Sequence, residues 1–414
     1  MPADTAITTT TPNGTGAPAA PGGRPAPGTG HHGQAFLVGD EISIRPIEKK
    51  DAGFGMSWRD TPFPLAPATV ERWIMEHMVK DRSTRWYAIV RLTDDRVVGS
   101  VRTFDASGTS ILDVFVDPLF GDRGDRWKRE ALGLVVPWLV DERRIRQVRI
   151  SIDADDDPLI EAARGLGMRQ VARFREQVER AGSRIDRLVF ERHNRDWLAA
   201  LGDPLDEALP RSGTGLPRPV PELVSVDATP PPKAILIGQR VYLRAVERAD
   251  LDAFALWSRR ETETAFLLGR QVDSAISMTA EWSDAEKQAL PSSVVFSVCL
   301  RDGDTFIGGV DLFNIDYQNR FAETGSFFHR PEDRGKGYGS EAKHLLLAYA
   351  FDHLGMHSVQ SRVLFSNTRS AAALRKQGYR DAGRTTWTHP AGGTFGNVAF
   401  FDLLASEWRA LPRA

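Results

Sequence analysis

His329-Arg-Pro-Glu-Asp-Arg334-Gly335-Lys336-Gly337-Tyr338-Gly339-Ser340-Glu341-Ala342 is the stretch that decides how this chain folds. Gly335, Gly337 and Gly339 alternate where an extended run, Gly325-Ser-Phe-Phe328, gives way to a helical one. Downstream, Ala342, Leu345, Leu346 and Tyr349 recur at i, i+3, i+4 and i+7, the spacing of a helix that buries one face. Glycines at such a junction let backbone N–H groups converge without Cβ obstruction. The first helical turn adds unsatisfied donors and a partial positive charge. That geometry suits a pyrophosphate and points to an enzyme holding a diphosphate-bearing cofactor.

The spacing narrows the cofactor. No Lys-Ser or Lys-Thr follows Gly339, so the stretch is not a P-loop, and G-x-G-x-G differs from the G-x-G-x-x-G of dinucleotide folds. The arrangement Arg334-x-x-Gly337-x-Gly339 resembles the acetyl-CoA loop of the GNAT acyltransferase superfamily. Val359, Ser361, Val363 and Phe365 then alternate as a strand, Ser366-Asn367 can cap a helix, and Ser370 to Gln377 continue it to Gly378-Tyr379. This run is similar to the family's helix beside the pantetheine arm. The ending, Asn397-Val-Ala-Phe-Phe-Asp-Leu-Leu-x-x-Glu407-Trp408, resembles the ribosomal-protein N-terminal acetyltransferase (Rim-type) branch. The resemblance implies an α/β fold: tandem GNAT-like domains, each a mixed, mostly antiparallel central sheet flanked by helices.

Composition sets the remaining bounds. Of 414 residues, 41% are hydrophobic and 26% charged, the balance of a soluble globular protein. A formal net charge of −2 gives no electrostatic reason to expect nucleic acid or an anionic membrane as partner. The basic patch Glu142-Arg-Arg-Ile-Arg146 reads as a solvated helix end. One cysteine, Cys299, rules out an intramolecular disulfide, and its apolar surroundings fit a buried thiol. No apolar stretch spans a bilayer, the N-terminus has no secretion-signal pattern, and a cytoplasmic location is expected.

Low-complexity segments divide the chain. Residues 1–34 are an Ala/Gly/Pro/Thr-rich tail with too little apolar bulk to offset ordering entropy, and 203–233 form a Pro-rich linker. The regions 35–202 and 234–414 remain, each large enough for its own core. They begin alike: Glu41-Ile-Ser-Ile-Arg45 to Asp51 parallels Arg240-Val-Tyr-Leu-Arg244 to Asp250. Arg123-Gly124 and Arg334-Gly335, Gly167 and Gly378, and Trp197 and Trp408 are each 211 positions apart, the signature of a duplication. The first copy departs from the pattern at the loop. There Lys336, Gly337 and Gly339 become Asp125, Arg126 and Lys128, while Asn367 and Ser370 become Asp156 and Leu159. Side chains thus stand where backbone should approach phosphate, and the first copy reads as degenerate. Arg126 and Lys128 supplying phosphate charge is the other reading.

The resemblance implies direct acyl transfer from a thioester to an amine, which needs a base, an oxyanion donor and an acid for the thiolate. Glu323, on the strand before the loop, is the first candidate for the base, with His329, Asp311 and Asp316 as competitors and a solvated strand carboxylate as the plain alternative. The backbone N–H of Phe327 or Phe328 is the implied oxyanion donor. The family's tyrosine acid would fall at Leu374, so Ser370 is the replacement candidate. Cofactor contacts are expected from Phe327, Phe328, His329, Arg334, Gly335, Lys336, Gly337, Tyr338, Gly339, Ser340, Asn367 and Ser370. Arg369 and Lys376 reach either phosphate or water. The histidines (His31-His32, His344, His353) lack metal-site spacing, and no metal is expected.

Acetyl-CoA or another acyl-CoA is the expected donor, with the phosphopantetheine of an acyl carrier protein as an alternative that would make the first copy a docking surface. The acceptor segments, 251–290 and 387–395, carry aromatic and mixed-charge residues, including Trp257, Phe266 and Trp282. They suit a peptide or protein α-amine, a protein lysine or an amine-bearing natural product. A non-catalytic acyl-CoA-binding scaffold is the reading of a different class, disfavoured by the intact second loop.

Overall fold

Val359, Ser361 and Val363 are buried, and the two valines join Leu345 and Leu346 of the helix after the glycine loop in one core. Strand and helix periodicities therefore meet as the sequence requires. The computed structural model describes residues 36–61, 63–78, 83–106, 108–201, 217–221, 231, 233–258, 274, 276–277, 279–280, 290–328, 330–391 and 394–413. The tail, most of the linker and most of the 251–290 acceptor segment lie outside these residues. Within the linker, Val220 is buried and its N–H donates to the Pro412 carbonyl, so 217–221 dock on the second half.

The first half contributes β1 (Leu37–Val38), β2 (Ile42–Pro46), β3 (Thr84–Arg91), β4 (Val97–Ala106), β5 (Thr109–Val116), β6 (Gln147–Asp153), β7 (Arg169–Arg180) and β8 (Ser183–His193). The second contributes β9 (Leu236–Ile237), β10 (Val241–Ala245), β11 (Val294–Leu300), β12 (Phe306–Asp316), β13 (Phe321–Phe328), β14 (Ser358–Leu364), β15 (Arg380–Ala391) and β16 (Thr394–Leu404). Helices α1 (Asp122–Pro137) and α2 (Asp157–Gly165) match α3 (Tyr338–Ala348) and α4 (Thr368–Lys376). In each half one pair is parallel, β5 with β6 and β13 with β14, and the other described pairs are antiparallel. Separate apolar cores form around α1 and around α3.

Both halves open on the same buried device. Arg45 Nη1 lies 2.7 Å from Asp51 Oδ2, and Arg244 Nη1 lies 2.6 Å from Asp250 Oδ2. In each copy the aspartate also accepts from a backbone N–H three residues earlier, at 2.8 Å. These bonds fix the turn from first strand into first helix, because a buried charge is tolerated only when paired.

One feature goes beyond the sequence reading: the two sheets are continuous. Sixteen strands run β1-β2-β3-β4-β5-β6-β8-β7-β15-β16-β14-β13-β12-β11-β10-β9, the second half mirroring the first. The halves meet where Ala172 of β7 faces Gly383 of β15. Across this junction Arg175 Nη2 donates to Asp402 Oδ1 at 2.6 Å, and Thr386 Oγ1 donates to Glu191 Oε1 at 2.6 Å. Those two contacts exchange under the 211-residue offset, as in an isologous dimer. Arg146 also differs from expectation. It is buried, with its guanidinium 5.0 Å from the ring centre of Trp197, because the chain turns inward there to begin β6.

Gly383 has φ +133°, and a Cβ there would collide with the Val171 carbonyl oxygen and Ala172 Cα. Gly383→Val is expected to lower stability by on the order of 3 kcal/mol, read as a reduced denaturation midpoint. Midpoints equal to the parent would show that the junction tolerates a side chain.

Candidate functional site

Parallel pairing of β13 with β14 stops at Glu323 opposite Gln360. Beyond it the two strands diverge, and side chains take over the bridging. Ser361 Oγ donates to the Thr324 carbonyl at 3.0 Å, and Thr324 Oγ1 lies 2.8 Å from the Tyr379 hydroxyl. Burial raises the Tyr379 pKa, so the residue is a protonated packing partner in the core. Residues 324–328 stay paired with β12 on one side and have no strand partner on the β14 side, and there the expected oxyanion donors Phe327 and Phe328 stand.

Glu323 sits at the apex, 8% exposed and therefore not on a solvated face. Its Oε1 accepts from Asn314 Nδ2 at 3.0 Å and from Gln360 Nε2 at 3.1 Å. Asn314 reaches it from a register shift in β12 with φ +50°, a conformation asparagine tolerates better than most residues. Arg362 Nε lies 3.1 Å from Oε2 as an ion pair, yet Oε2 accepts no hydrogen bond from any described residue. A buried acceptor with open capacity is rare enough in a folded protein to call for a function.

Asp311 and Glu323 share a face, since the register sets Asp311 opposite Gly325 and Phe313 opposite Glu323. Any Cβ at Gly325 would collide with the Asp311 carboxylate. Burial pushes the Asp311 carboxyl up, Lys343 opposing and Glu323 adding to the shift. Asp316 belongs elsewhere. Its carboxylate accepts from the Asn319 N–H and amide at 2.8 Å, so it fixes a turn and drops out as a base.

Lys343 is the residue that sequence reasoning missed. It lies in α3, 2% exposed, and its Nζ donates to the Gly325 carbonyl at 3.2 Å. Burial lowers its pKa to about 7, Asp311 opposing. The periodicity suggested one buried face for this helix, but Glu341 to Ala348 are all buried. No local pattern marks it, since Lys343 sits between Ala342 and His344, just ahead of the apolar run from Leu345 to Ala348. His344, also buried, accepts from Trp408 Nε1 at 3.2 Å, and burial lowers its pKa to about 4.

The glycine loop forms as its residues require. Gly335 and Gly337 adopt φ +79° and +87°, and Gly337 caps α3. The Glu341 N–H closes the first helical bond onto Gly337, which leaves the N–H groups of Tyr338, Gly339 and Ser340 without an intrahelical acceptor. Arg334 Nη2 donates to the Phe328 carbonyl at 3.0 Å and ties the loop to the end of β13. Arg240 Nη1 donates to the Lys336 carbonyl at 2.7 Å, and its Nε lies 2.9 Å from Glu341 Oε2. Gly339 packs under Phe328, whose ring a Cβ would meet at 3.0 Å. The donor set, with open space at Gly335 and no Cβ at Gly337 or Gly339 to shield it, fits a diphosphate such as that of the expected CoA. Asn367 caps α4, its Oδ1 accepting from Ser370 N at 3.1 Å. His329, Phe266, Trp282 and the side chains of 387–391, 394 and 395 lie outside the described residues. Among the described residues no cluster of three or more metal-binding side chains occurs.

The first half lacks these features. Helix α1 begins at Asp122, so residues aligned with the open loop are already wound into helix. Lys128 Nζ bridges Asp156 at 3.3 Å and Asp125 at 3.7 Å across the aligned space. Ile111, opposite Arg149, takes the place that Glu323 holds opposite Gln360.

A family model described as acetyltransferase (GNAT) domain matches residues 240–380. The uncharacterized N-acetyltransferase p20 of Bacillus licheniformis is 30% identical over 179 residues, covering 42% of this chain and 97% of that protein. YnaD, an uncharacterized N-acetyltransferase of Bacillus subtilis (strain 168), is 29% identical over 113 residues, 27% of this chain and 65% of that protein. Among solved structures, spermidine N-acetyltransferase from Vibrio cholerae in complex with CoA and spermine aligns with 22% identity and TM-score 0.38, over 41% of this chain and 98% of that one.

Lys343→Met gives the site a pH signature. Lysine titrates at 10.5 when exposed and about 7 here, so between those values the folded chain binds fewer protons than the unfolded one. Stability therefore rises with pH through that window. The methionine variant should exceed the parent in melting temperature most at pH 7 and below, by a few kcal/mol of stability. That advantage should shrink towards pH 10. A gap independent of pH would refute the buried-ammonium account.

Proposed function

The chain belongs to the GNAT acetyltransferase family, and on that footing we propose that its second half transfers an acetyl group from acetyl-CoA to a primary amine. The observation that carries the proposal is the Glu323 carboxylate, held at Oε1 by Asn314 and Gln360 while Oε2, ion-paired with Arg362 at 3.1 Å, accepts no hydrogen bond from a described residue and keeps lone-pair capacity for a proton. Glu323, directly or through water, takes the proton from the acceptor ammonium or amine. The nitrogen then forms its bond to the thioester carbonyl carbon as the carbon–sulfur bond breaks. The unpaired edge of β13 supplies N–H groups, of Phe327 or Phe328, to the charge building on the carbonyl oxygen. Ser370 is the proposed donor to the departing sulfur. Gly335 to Ser340 with Arg334 and Lys336 hold the diphosphate, and Asn367 lies beside the pantetheine arm.

Two carboxylates on one face of the cleft, Asp311 and Glu323, favour an acceptor that is cationic in water. Phe254 and Phe327, ring centres 6.1 Å apart, supply an apolar wall near them. The α-amine of a peptide or protein, as the Rim-type ending suggests, and an amine-bearing small molecule both meet that description. The first half is proposed to be a degenerate domain of the same kind, since Ile111 and the Lys128–Asp156 pair stand where a base and a cofactor loop would be.

Glu323→Gln should lower kcat by about 100-fold with the KM for acetyl-CoA little changed. Asp311→Asn should raise the KM for the amine about tenfold. Gly337→Val should weaken CoA binding by at least roughly tenfold in calorimetry, because the loop cannot hold φ +87° with a branched side chain. Full activity in Glu323→Gln would remove the base from the scheme.

A further inference from the structure

We propose that Gln177, a residue of the first half, positions the catalytic carboxylate of the second. The inference rests on Glu323 being the base. A register shift between Phe174 and Val178, with Glu176 at φ +51°, carries Gln177 across the junction, where it is 5% exposed. Gln177 Nε2 donates to Gln360 Oε1 at 2.9 Å, and Gln360 Nε2 donates to Glu323 Oε1 at 3.1 Å.

The polarity of this relay is dictated by its end. An ionised carboxylate only accepts, so Gln360 must turn its NH2 towards Glu323 and its carbonyl oxygen towards Gln177. Position 177 must then donate. Glutamine meets this need at a length that spans the junction. With Gln360 pinned from both ends, Oε1 of Glu323 keeps both of its bonds and Oε2 is held beside Arg362 with its hydrogen-bonding capacity unused. A first half without a base or an open cofactor loop thereby acts on the chemistry, as a positioning element.

The test is steady-state kinetics of the full chain with acetyl-CoA and whichever of a diamine or a tripeptide amine gives higher turnover. Gln177→Met fills a similar volume without donating. It should lose about tenfold in kcat, the worth of one hydrogen bond to a charged network, at unchanged KM for acetyl-CoA. Gln177→Glu should lose at least as much, because an ionised acceptor draws the Gln360 NH2 away from Glu323. Adding Gln177→Met to Gln360→Leu should cause no further loss. Melting curves accompany each variant, and since the methionine and glutamate changes fail for opposite reasons, either one that folds decides the matter. Parental kcat in Gln177→Met or Gln177→Glu beside an inactive Glu323→Gln overturns the positioning role and leaves the base intact. An active Glu323→Gln overturns both.

Discussion

The closeness of two backbones at Gly383 and Ala172 is the constraint from which the rest of the molecule follows. Edge strands are a hazard, since their unpaired N–H and C=O groups invite other chains. Here the long outer strand of each half, β7 and β15, is set against its counterpart. Few ladder bonds form there, so side chains do much of the joining. Arg175 grips both Asp402 and Glu407, while Thr386 and Gln147 meet around Glu191. Approach at this distance is possible because position 383 has no side chain. Through the same approach Gln177 comes within reach of Gln360.

The two halves show how differently a fold and a site depend on sequence. The Arg–Asp turn device survives in both copies with the same bonds, within 0.1 Å at the shortest contact in each. Cores of comparable make-up surround α1 and α3. Loss of any of these would expose or strand buried groups, so the first half keeps them whether or not it catalyses. The site needs a handful of positions. With Ile111 where the second half has Glu323, and Arg126 and Lys128 where it has loop glycines, the first half keeps its core while lacking the proposed base and having helix in place of the loop.

Much of the second half was legible in the chain. Glycines at 335 and 337 fall where φ is positive, and Asn367 caps the helix it precedes. Such signals are local, and local geometry follows from residue type. Glu323 could be picked out, but its environment could not. Its hydrogen bonds depend on a register shift that brings the Asn314 amide to it and on a neighbour one strand away. Lys343 was invisible because helical periodicity assigns charge to a solvated face, and α3 has none. Gln177 was less accessible still. Its partner lies 183 positions away across a junction that no pattern of alternation announces.

Burial gives these remote residues their leverage. In a wet cleft the amide of Gln360 would exchange Gln177 for water at little cost, and the first half would be a passive neighbour. Gln177 and Glu323 are each less than a tenth exposed and Gln360 between them is partly buried, so an unmet donor or acceptor at either end of the relay has little solvent to turn to. Lys343 and Asp311 are subject to the same rule, which is why burial pushes one pKa down and the other up. On the proposed reading the first half supplies a donor to the site, and that role requires the sheet to be continuous at Gly383.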